Sequence, residues 1–277
     1  MSSYAIKTIN LKQKSARHAI IGTDLSAPPL IYLPGNLQSI SNVESITLPL
    51  SRDALVHVIE LPGNTGEYHL PSNYDMGYLA DCVHEYVSRF VGKKVHIAAS
   101  SYSTAIALTF AVKYPDLISS LSLSGAAQYV PEQSVARILK ILYLARTDRQ
   151  AFAEAYTDLL TVESDIIKRN RAIRRASQKM ALSMEAVQLE CFHHNMLRLL
   201  NLTPREHYPI EAPTICFTGE KDPFITPADC EQLSDSIPLS KFTTLKNSDH
   251  LIHIEAPTQM AGLIANQIHA AEYRMAA

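Results

Sequence analysis

VHIAASSYSTAIAL, residues 95–108, decides how the chain folds. Val95 to Ala99 is a short apolar run of the kind that fills a fully buried strand, and from Thr104 apolar residues resume with helical continuity. Between them stand Ser100, Ser101, Tyr102 and Ser103. A strand that turns at once into a helix forces one residue at the corner into a strained backbone, and a serine there has its hydroxyl lifted clear of the sheet. The usual spacing is G-x-S-x-G, whose glycines permit the strain and the close approach of helix to strand. Here Ala99-Ser100-Ser101-Tyr102-Ser103 fits that spacing, with small residues in both glycine places. Shifting the frame to Ser100 would put Tyr102 where the helix must pack closely, so Ser101 is the expected nucleophile.

On either side of this stretch, short β-type runs alternate with helix-period runs, the signature of an α/β protein with a mostly parallel sheet. YAIKTINL and RHAII read as a first strand pair, and PLIYL (29–33) and ALVHVIEL (54–61) as buried strands ending at Pro-Gly turns. Leu79, Val83, Tyr86, Val87 and Phe90 share one helical face, and Gly92 stops that helix. KVHIAA, TAIALTFAVKY and LISSLSLSG continue the alternation. Between Gly125 and Gly219 there is then no glycine, and between Pro131 and Pro204 no proline. That stretch is helical in period and predicts an inserted helical cap over 129–207, leaving 1–128 and 208–277 as an eight-stranded α/β core. The pattern resumes with strand APTICFTG, helix PADCEQLSDSI, strand KFTTLK and a last helix from about Pro257.

A serine hydroxyl at neutral pH needs a histidine base, itself oriented by a carboxylate. Asp222, in TGEKDPFITPAD, follows one late strand, and His250, in LKNSDHLIHIEAP, follows the next. Both lie at strand ends, where the loops of such a sheet gather. Asp229 and Asp235 are rival acids, but Thr226 reads as a helix N-cap and Pro227 as its first residue, which puts both inside the helix. His253 is a rival base set back by three residues. For the oxyanion, the backbone N–H of Asn36, after Gly35 in IYLPGNLQS, and that of Tyr102 are the expected donors.

Taken together, LIYLPGN, VHVIELPGNTGE, VHIAASSYSTAIALTFAVKYPDLISSLSLSG, APTICFTGEKDPFITPAD and SDHLIHIEAP resemble successive landmarks of the α/β-hydrolase superfamily. The resemblance covers nearly all of the chain outside the cap. It implies nucleophile Ser101, acid Asp222, base His250 and oxyanion donors Asn36 and Tyr102. Departures are Pro34 where histidine often stands, Glu60 for aspartate, Ala99, Ser100 and Ser103 around the nucleophile, and Asp249 for a frequent glycine. A serine-rich elbow with alanine is similar to those of acyltransferases that build the hydroxyacyl-ester lipid of rhamnolipids and of the acyl-transferase components of bacterial luciferases. The expected activity is acyl transfer from an ester or thioester through an acyl-serine, on a fatty-acyl or hydroxyacyl chain that coenzyme A or an acyl carrier protein could deliver. Two other readings stand beside it: hydrolysis of a carbon–carbon bond in a diketone, kept open by the basic tract KRNRAIRR (168–175), and a non-catalytic binding or interaction scaffold.

A net charge of −2 leaves no electrostatic footprint for nucleic acid. The four cysteines, Cys82, Cys191, Cys216 and Cys230, lack metal or disulfide spacing and fit a reducing cytoplasm. His193 and His194 are adjacent on a helix and point apart, so no metal is expected there, and Gly63 and Gly66 read as turn glycines without a dinucleotide fingerprint. No apolar run reaches the ~20 residues of a membrane helix. No cofactor is expected.

Overall fold

A computed structural model describes residues 4–65, 68–203 and 205–276. The reading of Gly66 as a turn glycine therefore lies outside the described residues. Eight strands form one sheet: β1 (Lys7–Leu11), β2 (Lys14–Ile21), β3 (Pro29–Leu33), β4 (Leu55–Glu60), β5 (Val95–Ser100), β6 (Ile118–Ser124), β7 (Thr214–Gly219) and β8 (Ser240–Leu245). Their order is β1-β2-β4-β3-β5-β6-β7-β8. β2 runs antiparallel to β1 and β4, and the other pairs are parallel. Every residue of β3, β5 and β6 is buried. That is why these strands read as unbroken apolar or small-residue runs and not as alternations.

Among the described residues ten helices accompany the sheet: α1 (Glu44–Leu50), α2 (Met76–Phe90), α3 (Tyr102–Lys113), α4 (Glu132–Thr147), α5 (Arg149–Leu160), α6 (Asn170–Ser183), α7 (Ala186–Leu200), α8 (Pro227–Asp235), α9 (Ile252–Glu255) and α10 (Pro257–Ala276). One core lies between the sheet and α2 and α3, where Val83, Tyr86, Ile106 and Phe110 meet. The other lies under α1 and α10, through Ile46, Leu50, Ile264 and Ile268. α4 to α7 stand between β6 and β7, and their Phe152, Tyr156 and Phe192 form an aromatic cluster continuous with the first core. α3 is buried almost all round, as its lack of a polar face requires.

Three features of the fold escape the sequence pattern. The short 3-10 turn at Ile40–Val43 and α1 carry β-branched residues and an internal Pro49, all unfavourable to helix. α9 is a single turn, too short to show a period. Among the described residues no helix is long and apolar enough to cross a membrane.

Candidate active site

β3 and β5 are neighbours whose chains leave the sheet in opposite directions, β3 to β4 and β5 to β6. A crevice opens at such a reversal, beyond the carboxyl ends of the strands. Ser101 stands at that point, between the end of β5 and the start of α3, with φ 50° and ψ −121°. This is left-handed backbone that a residue with a Cβ rarely adopts. Two contacts hold it there: the Ser101 N–H donates to Ser124 O at 2.7 Å, and the Thr104 N–H donates to Ser101 O at 2.9 Å. The small neighbours have the expected use. Ala99 is fully buried, and Ser103 donates its hydroxyl to Pro34 O, tying α3 to the loop after β3. Ser100, the rival serine, is turned away and bonded to the Tyr32 hydroxyl at 3.1 Å.

The loops after β7 and β8 bring Asp222 and His250 to the same place. The Ser101 hydroxyl lies 2.8 Å from His250 Nε2, and His250 Nδ1 lies 2.7 Å from Asp222 Oδ2. A serine, a histidine and a carboxylate from three strand ends thus form one continuous hydrogen-bonded chain. Asp222 is itself fixed: Oδ1 accepts the N–H groups of Phe224 and Ile225, both at 2.9 Å, and Oδ2 accepts the Thr218 hydroxyl at 2.7 Å. Gly219 makes the convergence possible, because a Cβ there would sit 2.1 Å from Asp249 O. Gly125, at φ +62°, leaves room for the imidazole in the same way, a Cβ there lying 3.0 Å from His250 Cε1. Asp229 is occupied in capping α8 through Thr226, as its position after Pro227 predicts. His253 lines the same cleft but bonds Gln38 at 3.0 Å, and burial pushes its imidazole down to about 4.

Burial disfavours a charged His250. The carboxylate of Asp222, with those of Asp249 and Glu255 behind it, outweighs that effect and holds the imidazole above its ordinary value. Asp249 is fully buried, and its side chain accepts the N–H groups of Leu251 (2.9 Å) and Val162 (3.3 Å). Glu255 accepts the Asp249 N–H at 2.7 Å; burial and the nearby Asp249 push its carboxyl up to about 8. The residue that replaces a small glycine before His250 therefore ties the histidine loop to the segment after α5.

Asn36 follows β3 in a turn closed by Gln38 N–H donating to Gly35 O at 3.1 Å. The left-handed residue of this turn is Leu37, at φ 60°, and not Gly35. Among the described residues no acceptor pairs with the N–H of Asn36 or of Tyr102, and Tyr102 is the first residue of α3, where backbone N–H groups lack intrahelical partners. The turn is gripped by three amides that no local sequence pattern singles out. Gln38 Oε1 accepts the Gly35 N–H at 2.7 Å, Asn64 donates to Gly35 O at 3.2 Å, and Asn195 donates to Asn36 Oδ1 at 2.7 Å. Each is distant in sequence from Ser101, and only the fold brings them together.

Ser101 and His250 open into a cleft of about 570 Å³ lined chiefly by apolar side chains of α5, α6, α7 and the turn between the last two, among them Leu159, Ile173, Met184, Phe192 and Met196. It is an open cleft and not a closed tunnel: Met180, on its α6 side, is 43% exposed. The basic tract lies along α6 and the turn before it. Arg171 and Arg175 are solvated, Arg174 pairs with Asp158 at 2.7 Å, and Arg169 stands at the cleft mouth. His193 and His194 sit on α7 with rings 5.5 Å apart, His194 accepting the Ser72 N–H at 3.2 Å.

Residues 28–257 match the alpha/beta hydrolase fold family. No curated protein matches the sequence. Among solved structures, a thermophilic esterase from Thermogutta terrifontis, with malate bound, is 19% identical at a TM-score of 0.80, over 96% of this chain and 99% of that one. The enol-lactonase of Burkholderia xenovorans LB400 is 18% identical at 0.81, over 95% and 100%. The 2-hydroxy-6-oxo-6-phenylhexa-2,4-dienoate hydrolase of Rhodococcus sp. strain RHA1 is 16% identical at 0.77, over 97% and 100%. These are likenesses of fold.

Proposed function

The chain belongs to the alpha/beta hydrolase fold family, and from that premise we propose that it is a serine-triad enzyme acting on an acyl ester or thioester. Residues 1–128 and 208–277 are its catalytic core and 129–207 its cap. The observation that carries this reading is the Ser101–His250–Asp222 chain, at 2.8 and 2.7 Å, opening into an apolar cleft. His250 Nε2 takes the hydroxyl proton as Ser101 Oγ attacks the acyl carbonyl carbon. Asp222 accepts the Nδ1–H, which leaves Nε2 as the base, and it stabilises the imidazolium that results. The N–H groups of Asn36 and Tyr102 receive the oxyanion. His250 then returns its proton to the departing thiolate or alkoxide, and an acyl-serine remains. Water, or the hydroxyl of a second hydroxyacyl unit, takes the acyl group by the reverse sequence.

The cleft supports a fatty-acyl or hydroxyacyl chain, because its walls offer contact area and few polar partners. Coenzyme A or an acyl carrier protein is the carrier, its acidic groups meeting Arg169 at the mouth. Diketone cleavage asks for a cation deep in the cleft to hold a carboxylate. Among the described lining residues Arg169 is the one lysine or arginine, and it is exposed. A scaffold protein would have no use for a serine held in strained backbone against a buried histidine–carboxylate pair. The test is incubation of the wild type and Ser101→Ala with a chain-length series of acyl and 3-hydroxyacyl thioesters, with products read by mass spectrometry. Free acid from the wild type alone supports a hydrolase. An ester of two hydroxyacyl units, again from the wild type alone, supports the acyltransferase. Equal product from both proteins contradicts the role of Ser101.

A further inference from the structure

α7 carries a buried arginine whose partners are all neutral. Arg198 is 3% exposed. Its Nε donates to Tyr74 O at 2.6 Å, and its Nη2 donates to Leu70 O at 2.5 Å and Pro71 O at 2.7 Å. Its Nη1 donates to Asn195 Oδ1 at 2.6 Å. No carboxylate pairs with it among the described residues. Burying a cation without a counter-charge is costly, so a fold that keeps one uses it for geometry.

The geometry follows from what each group can do. A guanidinium only donates, so the Asn195 amide must turn its oxygen toward Arg198. That leaves Asn195 Nδ2 pointing the other way, where it donates to Asn36 Oδ1 at 2.7 Å and to Gly63 O at 3.3 Å. Asn195 is 1% exposed, so bulk solvent does not reach either contact. Tyr102 lies beside Arg198: its phenol is pushed up to about 12 by burial, against the pull of the adjacent guanidinium charge. The side chains of both proposed oxyanion donors therefore abut one turn of α7.

We infer that Asn195, oriented by Arg198, is a positioning residue that fixes Asn36 and so couples the cap to the oxyanion hole. The inference rests on the proposed role of Asn36 in acyl transfer. It predicts that loosening Asn195 lowers the rate of the chemical step and leaves ground-state binding in the apolar cleft almost untouched.

Asn195→Asp separates this role from a merely structural one. The carboxylate still accepts from Arg198, now as an ion pair, so the melting temperature stays at or above the wild-type value. It has no hydrogen to give Asn36 Oδ1 or Gly63 O, so the pair of contacts that hold the turn is broken, and an Asn36 amide reversed to donate would recover only one of them. Turnover of a p-nitrophenyl acyl ester is expected to show kcat reduced about tenfold or more, with KM within about twofold, the pattern of a lost transition-state contact. Asn36→Ala, which keeps the backbone N–H but removes the anchor, is expected to show the same loss, and the double variant no further loss. A folded Asn195→Asp enzyme with wild-type kcat, or losses that multiply in the double variant, would overturn the inference. Should Asn195→Asp not fold, Asn36→Ala decides alone: unchanged kcat overturns it, and a fall in kcat at constant KM supports it. Ser101→Ala, run beside them, keeps the two readings apart. If it turns over as fast as wild type, the acyl-serine reading fails. If it is inert while the Asn195 and Asn36 variants are fully active, only this inference fails.

Discussion

Ser101 holds φ 50° without the glycines that usually make such a corner easy. A non-glycine residue in that region is strained by about 1–3 kcal/mol. Ser101→Gly should therefore melt higher than the wild type, by an amount equivalent to about 1 kcal/mol or more, while losing all turnover; calorimetry and a single ester assay check both. His250 must be neutral to act as base, and its neighbours hold its pKa above the ordinary value. The rising limb of the pH–rate profile is accordingly expected above the ordinary histidine midpoint of about 6.5. Asp222→Asn, which removes the strongest of those charges and the tautomer control, should lower kcat by about three to four orders of magnitude. At this scale the sequence was most informative about Ser101, Asp222 and His250, because a strand-end turn needs recognisable residues. It was silent on Asn195, Gln38, Thr218 and Asn64, whose contacts depend on long-range packing and leave no local pattern.

At the level of elements, the turns after β7 and β8 touch so closely that Gly219 cannot carry a side chain. Gly219→Ala should lose most activity through displacement of the Asp249–His250 loop, and a reduced melting temperature would accompany it. α6 offers the opposite case. Ala176 lines the cleft yet is exposed on the helix, so Ala176→Phe can narrow the channel without touching the core. Its expected effect is a shift of kcat/KM toward shorter acyl chains across a chain-length series, with stability within about 0.5 kcal/mol of wild type. The long elements were legible: PLIYL is β3 residue for residue, and Thr226 and Pro227 begin α8 as their chemistry dictates. α1 was not, because Pro49 and a run of β-branched residues argue against a helix that α10 packing nonetheless stabilises.

For the molecule as a whole, a buried carboxyl pair behind the active site links stability to pH. The Glu255 carboxyl is raised from 4.5 to about 8 by burial and by Asp249. The unfolded chain thus gives up that proton at lower pH than the folded one, and stability declines as pH rises through this window. Glu255→Gln keeps an acceptor for the Asp249 N–H and removes the titration. Relative to wild type its melting temperature should gain steadily between pH 4.5 and about 8, which a pH series of thermal melts would show. The whole-chain alternation of strand and helix announced the α/β fold, since each parallel crossover imposes its own period on the sequence. Where α4 to α7 lie was not legible, for their apolar faces serve both their own packing and the cleft.

The role proposed for Ser101 is that of a nucleophile activated by His250. Its most direct test is reaction of the purified protein with a fluorophosphonate, followed by peptide mass spectrometry. A single adduct on Ser101, absent from Ser101→Ala and slowed by at least about a thousandfold in His250→Ala, is the expected result. An unmodified Ser101, or equal labelling of wild type and both variants, would contradict it.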